Sequence, residues 1–294
     1  MSEAVVGAAT WRDYLELTKP RVVLLMLLCA LVGMLLATPD MPPLTIVLAG
    51  LGGIALVAGS AAAVNHIADA RIDARMARTR NRPIPKGRVS PAAGIVFAGV
   101  LGIAGLVVLV TWVNPLTAGL NLVSWIGYGL LYTLYLKRAT SQNIVIGGVF
   151  GAAPPLFGWT AVTNSIEWGG LILLLIIFVW TPPHFWALAI DRRRDYEKVD
   201  VPMLPITHGD AYTRRQILYY TIVLCLVSVA PFAIGMSGLV YLTGALVLGA
   251  GFLACAVVLL RGGVERAPIA TFKYSIVYLA LLCVMLLVDH YLPV

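Results

Sequence analysis

Long apolar runs dominate this sequence and limit what it can fold into. Nine stretches are each long enough, at about 18 residues or more, to cross a hydrocarbon core of roughly 30 Å as a helix. They cover residues 21–38, 44–66, 91–112, 116–135, 143–163, 168–189, 216–235, 238–260 and 272–289. Hydrophobic residues make up 60% of the 294 positions, well above the roughly 45–50% of soluble domains. We therefore predict an all-α polytopic membrane protein with nine transmembrane helices, forming a single intramembrane domain over residues 1–294.

The basic residues are sorted onto one side of this nine-span arrangement. All 21 Lys and Arg residues fall before the first span or around the connections after spans two, four, six and eight, whereas the opposite connections carry Asp40, Glu167 and Asp289. Cytoplasmic loops are enriched in Lys and Arg, which predicts the N-terminus inside and the C-terminus outside. The net charge of +7 thus reflects topology, and basic residues scattered without interleaved aromatics disfavour nucleic-acid binding. No Arg- and Ser-rich transit pattern opens the sequence, which favours a bacterial inner (plasma) membrane.

The stretch from Asn65 to Pro85, here called the first acidic segment, concentrates polarity at the end of the second span. Asn65, Asp69 and Asp73 are spaced i, i+4, i+8 and share one helix face. Carboxylates at the hydrocarbon boundary are costly without a cation, and Mg²⁺ suits them because it is held by one or two carboxylates plus substrate phosphates. Three arginines, which bind phosphate bidentately, follow at Arg78, Arg80 and Arg82. The pattern favours a metal–diphosphate site, with a solvated helix end and topogenic arginines as the alternative.

A second polar stretch, residues 191–200, follows the sixth span on the same predicted face and is here called the second acidic segment. Asp191 and Asp195 again stand at i, i+4. Two acidic helix ends at one side of a bundle are able to face each other and hold metal ions that bridge one diphosphate. The second segment therefore strengthens the interpretation of the first.

With these residues in place, the sequence resembles the intramembrane aromatic prenyltransferases of the UbiA superfamily. Members of that superfamily carry an NxxxDxxxD motif after the second helix and a second Asp-rich motif after the sixth, on a nine-helix bundle. The haem-farnesylating branch of the superfamily is resembled most, through the blocks LTKPRV (17–22), NHIADARIDARMARTRNRPIPKG (65–87), YTLYLKRATSQNIVIGGVFGAAPPLFGW (132–159) and WTPPHFWALAI…DYEKVDVPMLPITHG (180–209). These blocks span most of the first two thirds of the chain.

The resemblance implies a Mg²⁺-dependent transferase with its active site on the cytoplasmic side. It implies transfer of a farnesyl group from farnesyl diphosphate to the vinyl group of haem B, with addition of water, giving haem O for terminal-oxidase haem biosynthesis. Haem B is then a substrate and not a cofactor. The implied catalytic residues are Asn65, Asp69, Asp73 and Asp195, of which the three aspartates hold metal; Asp191 matches the wider superfamily more than this branch. The implied diphosphate-binding cations are Arg78, Arg82, Lys137 and Arg138.

Haem recognition has two histidine candidates. His184 lies in TPPHFW near the end of the sixth span, and His66 adjoins Asn65; an imidazole is a common axial ligand of haem iron. The alternative is a buried histidine bonded to a backbone carbonyl. For His184 this alternative and iron ligation are equally favoured. For His66 the alternative is favoured, because its side chain points about 100° away from Asn65 on a helix. Cations available for the haem propionates are Lys19, Arg21 and residues 192–194.

Two other functions stay open at this point. One keeps the enzyme class and changes the acceptor to 4-hydroxybenzoate or another quinone precursor. The other is a secondary transporter, which is less favoured because transporters place coupling carboxylates near the bilayer midplane, whereas these acids cluster at one rim. The expected partners are farnesyl diphosphate, haem B and the lipid bilayer, with a haem A synthase or a terminal-oxidase assembly as a candidate protein partner.

Overall fold

The computed structural model describes residues 9–76, 79–198 and 201–292, which contain helices and no strand. In chain order the helices are α1 (Trp11–Leu17), α2 (Pro20–Leu36), α3 (Leu44–Ala68), α4 (Ala70–Arg75), α5 (Pro91–Trp112), α6 (Pro115–Trp125), the π-helix π1 (Ile126–Leu136), α7 (Lys137–Ala139), α8 (Asn143–Gly151), α9 (Pro154–Thr163), α10 (Trp168–Asp191), α11 (Arg193–Glu197), α12 (Leu204–Thr207), α13 (Gly209–Val227), α14 (Ala230–Ala233), α15 (Leu239–Arg261) and α16 (Ala267–Tyr291).

Seven helical stretches within these ranges are long and apolar enough to cross a membrane. Five are single helices, namely α3, α5, α10, α15 and α16, while α8–α9 and α13–α14 each form one stretch. The pair α1–α2 passes the same test together but is bent by 53°. The protein is therefore a multi-pass membrane protein with seven or eight candidate spans in its described part. The fourth stretch predicted from the sequence, 116–135, is occupied by α6 running directly into π1.

Local sequence signals explain where several of these helices begin. Ser90 precedes Pro91, and its hydroxyl accepts a hydrogen bond from the Ala93 backbone N–H at 3.2 Å. Asn114 caps α6 in the same way, with its side-chain oxygen 2.8 Å from the Thr117 backbone nitrogen. Both arrangements combine a capping side chain with a proline at the first helical position, where its missing N–H costs nothing.

Close helix contacts hold the bundle together. The helix α3 packs along α5, α2 against α9, α15 against α16, and α10 against both α13 and α16. Glycine permits the tightest of these contacts: a Cβ at Gly158 of α9 would lie 1.9 Å from the Ala30 carbonyl oxygen of α2. Small residues are the usual means of such close approach in membranes. The helix α5 instead points many large side chains outward, among them Ile95, Val96 and Ile103, as expected of a lipid-facing helix.

One apolar cluster decides which helix ends lie together. Met76, just after α4, packs in the same cluster as Trp186 of α10, Met203 and Leu204. The part of the first acidic segment just after α4 and the last turns of α10 therefore lie at the same end of the bundle. Both acidic segments open at that end, as their sequence positions predicted.

Candidate functional site

The first acidic segment continues the helical path of α3 through a small break. The backbone N–H of Asp69 donates to the Asn65 carbonyl at 3.0 Å, and that of Asp73 donates to the Asp69 carbonyl at 2.8 Å. The three side chains consequently stay on one stripe. They are almost fully enclosed, at 5% exposed for Asn65, 2% for Asp69 and 4% for Asp73. Two enclosed carboxylates at a helix end require compensating charge.

That charge comes from two separate parts of the chain. The Lys137 ammonium lies 2.6 Å from Asp69 Oδ2, and the Arg82 guanidinium lies 2.6 Å from Asp73 Oδ2. Both cationic side chains are themselves mostly buried. The structure thus brings together two of the predicted metal ligands and two of the predicted diphosphate-binding cations in one cluster.

A series of turns places Arg82 next to Asp73. The Thr79 hydroxyl donates to the Asp73 carbonyl at 3.0 Å, and the Arg82 backbone N–H donates to the Thr79 carbonyl at 3.0 Å. Ile84 and Val89 then anchor the returning chain in an apolar cluster with Leu17 and other residues of the bundle. The arginine is therefore held by the fold of its own loop and not only by its charge.

Lys137 is placed by the end of π1. This helix is 11 residues long, and π-type turns in proteins occur frequently at functional sites. Within it the Thr133 hydroxyl donates to the Tyr128 carbonyl at 2.7 Å and lies 3.3 Å from the Asn65 side-chain nitrogen. Thus π1 supplies a contact to Asn65, and Lys137, the first residue of α7 and four positions after Thr133, supplies the cation for Asp69. Nothing in the apolar pattern of residues 126–136 distinguishes a π-helix from an α-helix.

Lys19 completes the surroundings of Asn65. Its ammonium donates a hydrogen bond to the Asn65 side-chain oxygen. The residue stands between α1 and α2 with a left-handed backbone, at φ 52° and ψ 59°; a non-glycine residue rarely holds this conformation away from functional or tightly constrained positions. From the sequence we considered Lys19 only for haem propionates, and we did not single out Thr133. The Lys-Pro pair immediately before an apolar run was the one available signal for Lys19.

The remaining predicted cations lie elsewhere. Arg138 donates to the Ala68 carbonyl at 3.2 Å and so covers the last turn of α3 instead of a carboxylate. Arg78 lies outside the described residues. Arg138 still stands beside the cluster, since Lys137 precedes it directly.

The cluster has the chemistry to take a hard cation together with an anion. Asp69 Oδ1 is enclosed and has no hydrogen-bond partner within the described ranges, although its second oxygen contacts Lys137. A buried carboxylate oxygen of this kind is available to accept a bound cation or a water molecule. Mg²⁺ takes one or two carboxylates and completes its shell with phosphate oxygens and water, which fits Asp69 and Asp73. The cations Lys19, Arg82 and Lys137 outnumber these carboxylates and leave an excess of positive charge for an anion.

The second acidic segment is built differently. Asp191 pairs with the adjacent Arg192 at 3.2 Å, and Asp195 lies 3.9 Å from Lys198. Asp191 is exposed and Asp195 is half-buried. No group of three or more His, Cys, Asp or Glu residues in the described part converges as a metal site, so Asp195 is not gathered with Asp69 and Asp73 here.

Arg193 ties the second segment to a neighbouring helix. Its guanidinium donates to Glu197 at 2.8 Å and to Asp210, at the start of α13, at 3.2 Å. The hydrogen bond to Glu197 and the charge of Asp210 raise the pKa of Arg193 above its ordinary value. The segment is thereby positioned next to α13 by exposed contacts.

The two candidate haem histidines occupy different settings. His66 is 2% exposed, and both of its ring nitrogens are enclosed without a hydrogen-bond partner among the described residues. His184, in α10, is only partly buried and has its Nδ1 2.7 Å from the Ser275 hydroxyl of α16. Ser275 was not among the sequence candidates.

Comparison with known proteins agrees with this architecture. The model of the UbiA prenyltransferase family matches residues 26–287. A Saccharophagus degradans protein named protoheme IX farnesyltransferase is 58% identical over 284 residues, which is 97% of this chain and 94% of that protein.

Two solved structures share the fold. A structure described as that of digeranylgeranylglyceryl phosphate synthase in membranes superposes with a TM-score of 0.82 at 18% identity, covering 95% of this chain and 98% of the other. A UbiA homologue from Archaeoglobus fulgidus, bound to DMAPP and Mg²⁺, gives a TM-score of 0.66 at 14% identity and covers 93% and 99% of the two chains. At these identities the structural likeness concerns the fold alone.

Proposed function

The chain belongs to the UbiA prenyltransferase family, and we propose that it transfers the farnesyl group of farnesyl diphosphate to a vinyl group of haem B. Water adds in the same reaction, and the products are haem O and diphosphate. Relatives at 56–61% identity over nearly their full length are named protoheme IX farnesyltransferase, which supports this acceptor. The protein is accordingly a prenyl-transferring enzyme of haem biosynthesis.

The observation that carries the proposal is the enclosed cluster of Asp69 and Asp73 with its surplus of cations. We propose that these aspartates hold Mg²⁺, the ion bound in the Archaeoglobus fulgidus protein, and that Asp195 adds a ligand when substrate is present. Asp191 is the less favoured member of this set. Bound Mg²⁺ supplies positive charge that stabilises a departing diphosphate. Asp69 Oδ1, which lacks a hydrogen-bond partner among the described residues, is the first atom that we assign as a Mg²⁺ ligand.

The cations of the cluster act on the leaving group. As the bond between the farnesyl carbon and the diphosphate oxygen breaks, negative charge grows on the diphosphate, and Arg82 and Lys137 are placed to stabilise it. Arg138 and Arg78 are proposed to assist from the adjoining turns. Asn65, held between Lys19 and Thr133, orients its amide beside the same anion.

Carbon–carbon bond formation follows in the apolar part of the bundle. The vinyl group of haem B attacks the allylic farnesyl cation through its terminal carbon, which moves the positive charge to the carbon attached to the porphyrin ring. Water adds to that carbon and loses a proton, which leaves a hydroxyethylfarnesyl side chain. The dense apolar packing around the cluster limits the access of water to the first cation.

We propose nine spans with the N-terminus inside and the C-terminus outside. The fourth span is the continuous run of α6 and π1, and the first, predicted at 21–38, corresponds to α2, which follows α1 after a sharp bend. The confinement of Lys and Arg to one set of connections supports this orientation and puts both acidic segments on the cytoplasmic side of a bacterial inner membrane. The product is hydrophobic, so a haem A synthase or a terminal-oxidase assembly is the proposed recipient.

A direct assay tests the proposal. Purified protein in lipid nanodiscs is incubated with farnesyl diphosphate, Mg²⁺ and either haem B or 4-hydroxybenzoate, and products are identified by mass spectrometry. We expect farnesylated, hydrated haem only with haem B, and none after chelation of Mg²⁺. Prenylated 4-hydroxybenzoate without any haem product would overturn the assignment of the acceptor and keep the enzyme class.

A further inference from the structure

The imidazole of His184 is held in one orientation by α16. Its Nδ1 lies 2.7 Å from the Ser275 hydroxyl oxygen. The ring stacks on Trp180 at 4.2 Å between centroids, and the ring of Phe272 lies 4.6 Å away. Trp180 is itself fixed, because its indole N–H donates to the Ser275 carbonyl at 2.8 Å. Three neighbours on two helices thus determine where this side chain points.

The hydrogen bonds also determine which nitrogen carries the proton. The Ser275 hydroxyl donates to the Phe272 carbonyl at 2.6 Å, and a carbonyl oxygen has no proton to give. Since the hydroxyl has a single proton, its oxygen acts as the acceptor toward His184. Nδ1 therefore bears the hydrogen, and Nε2 is left with its lone pair.

That lone pair is unused in the described part of the chain. Nε2 of His184 makes no hydrogen bond there, and it is not sealed inside the protein. An imidazole whose N–H is bound by an oxygen while its other nitrogen stays open is the arrangement found at metal-ligating histidines, where the second bond fixes the tautomer and increases ligand basicity.

His66 lacks the same property. Both of its ring nitrogens are enclosed by protein, so a planar macrocycle has no open path to whichever nitrogen carries the lone pair. The difference between the two histidines selects His184 of α10 as the one that is able to bind a metal carried by a ligand.

We propose that Nε2 of His184 is the axial ligand that holds the iron of haem B in the enzyme–substrate complex, with Ser275 as its positioning residue. This inference rests on the proposed function, which supplies haem B as the acceptor. His184 is seven residues before the end of α10 at Asp191, about 10 Å along the helix axis at a rise of 1.5 Å per residue. His184 therefore lies deeper in the bundle than the end at which the first acidic segment lies. The vinyl groups stand on the rim of the porphyrin, so iron held here leaves an edge free to approach the farnesyl carbon.

The test compares haem with its metal-free analogue. Wild type, His184→Ala and the surface control His208→Ala are purified in nanodiscs and titrated with ferric haem B and with protoporphyrin IX, and absorption and electron paramagnetic resonance spectra are recorded. For His184→Ala we expect haem to bind about 10- to 100-fold more weakly, the range typical of lost metal-site residues, with a changed Soret band. Binding of protoporphyrin IX stays unchanged, and added imidazole restores the wild-type spectrum. His208→Ala behaves as wild type.

Two further variants keep the test decisive if His184→Ala misfolds. His184→Met retains apolar packing and offers a thioether, which is a haem ligand with its own spectrum. Ser275→Ala leaves the ligand in place, so histidine ligation persists while haem binds about tenfold more weakly, as expected for loss of the oxygen that orients a ligating histidine.

Equal loss of affinity for both porphyrins would assign His184 a packing role, and an unchanged haem spectrum in His184→Ala would also overturn the proposal. Either result leaves the proposed function intact as long as wild type forms haem O. If wild type forms no haem O and prenylates another acceptor, the proposed function itself has failed.

Discussion

In the first acidic segment each aspartate contacts a cation from outside its own helix, whereas in the second the aspartates contact residues one to three positions away. Lys137 is 68 residues from Asp69, and both side chains are mostly or fully buried. Asp195 is 40% exposed at its side chain and has Lys198 as its neighbour. The two segments lie at one end of the bundle, so this difference reflects how each is built and not where it stands.

We propose that this contrast separates a preformed half of the site from a half that substrate has to recruit. Burying ion pairs such as Lys137–Asp69 is costly, and a fold gains little stability from them, so we propose that they serve substrate binding. Exposed local pairs contribute about 0–1 kcal/mol and break easily. We infer that the first segment is set before the diphosphate arrives, and that Asp195 turns toward it only in the complex.

The largest expected effect lies in the preformed half. Asp69→Asn and Asp73→Asn keep side-chain shape and remove the charge, and we expect each to lower haem O formation roughly 100- to 1,000-fold, the usual cost of removing a group that stabilises developing charge. Turnover per inserted protein is the measurement, with Asp40→Asn, at an exposed aspartate outside both acidic segments, as the matched control. Near-normal turnover in either variant would contradict its metal role.

The spacing of residues in the sequence predicted much of the arrangement of the first acidic segment. The i, i+4, i+8 pattern of Asn65, Asp69 and Asp73 predicted one stripe, and the backbone hydrogen bonds of the structure maintain it. Helical periodicity is a local property, which is why a single sequence reveals it. The apolar runs likewise predicted a multi-pass bundle. The count of nine spans stays a prediction, because α6–π1 departs from regular α-helix midway.

The cations that pair with these aspartates could not be predicted from sequence spacing. Lys137 reaches Asp69 through a π-helix, and the apolar composition of residues 126–136 does not reveal its wider turns. The Ser275 contact to His184 joins residues 91 positions apart. Such pairings depend on how helices pack, and neither periodicity nor charge counting reports packing. The sequence therefore supplied candidate residues, and the structure supplied their pairing.

The second expected effect tests whether the exposed half is recruited. We expect Asp195→Asn to lower kcat roughly 30- to 100-fold, about 2–3 kcal/mol at 1.36 kcal/mol per tenfold change, because it removes a ligand that acts once diphosphate is bound. Single-turnover kinetics with saturating farnesyl diphosphate measure this step. The control is Glu197→Gln, also exposed and also locally paired. An active Asp195→Asn enzyme would mean that Asp69 and Asp73 suffice.

A smaller effect is expected from the lysines that pair with aspartates of the two segments. Lys137→Met removes a charged hydrogen-bond donor from the proposed diphosphate site, and we expect kcat/KM for farnesyl diphosphate to fall about 10- to 15-fold, which corresponds to about 1.5 kcal/mol, the lower end of the range for bonds to charged groups. Lys137→Arg retains the charge and is expected to recover part of the loss. Lys198→Met is the matched variant for the second segment, where Lys198 lies next to Asp195, and we expect a smaller loss from it. Equal losses in Lys137→Met and Lys198→Met would remove the distinction between the segments.

The smallest expected effect concerns the contacts that hold the second segment against α13. Arg193 pairs with Glu197 and Asp210 near solvent, so we expect Arg193→Gln to lower the free energy of unfolding only slightly, because exposed ion pairs contribute little to stability. Thermal unfolding in detergent at low and high salt checks this, and the difference from wild type should shrink as salt screens the charges. Turnover should stay within about twofold, because a local pair of this strength leaves Asp195 free to move. A large loss of turnover with unchanged stability would instead show that Arg193 fixes the second segment in its working position, and that this half is preformed too.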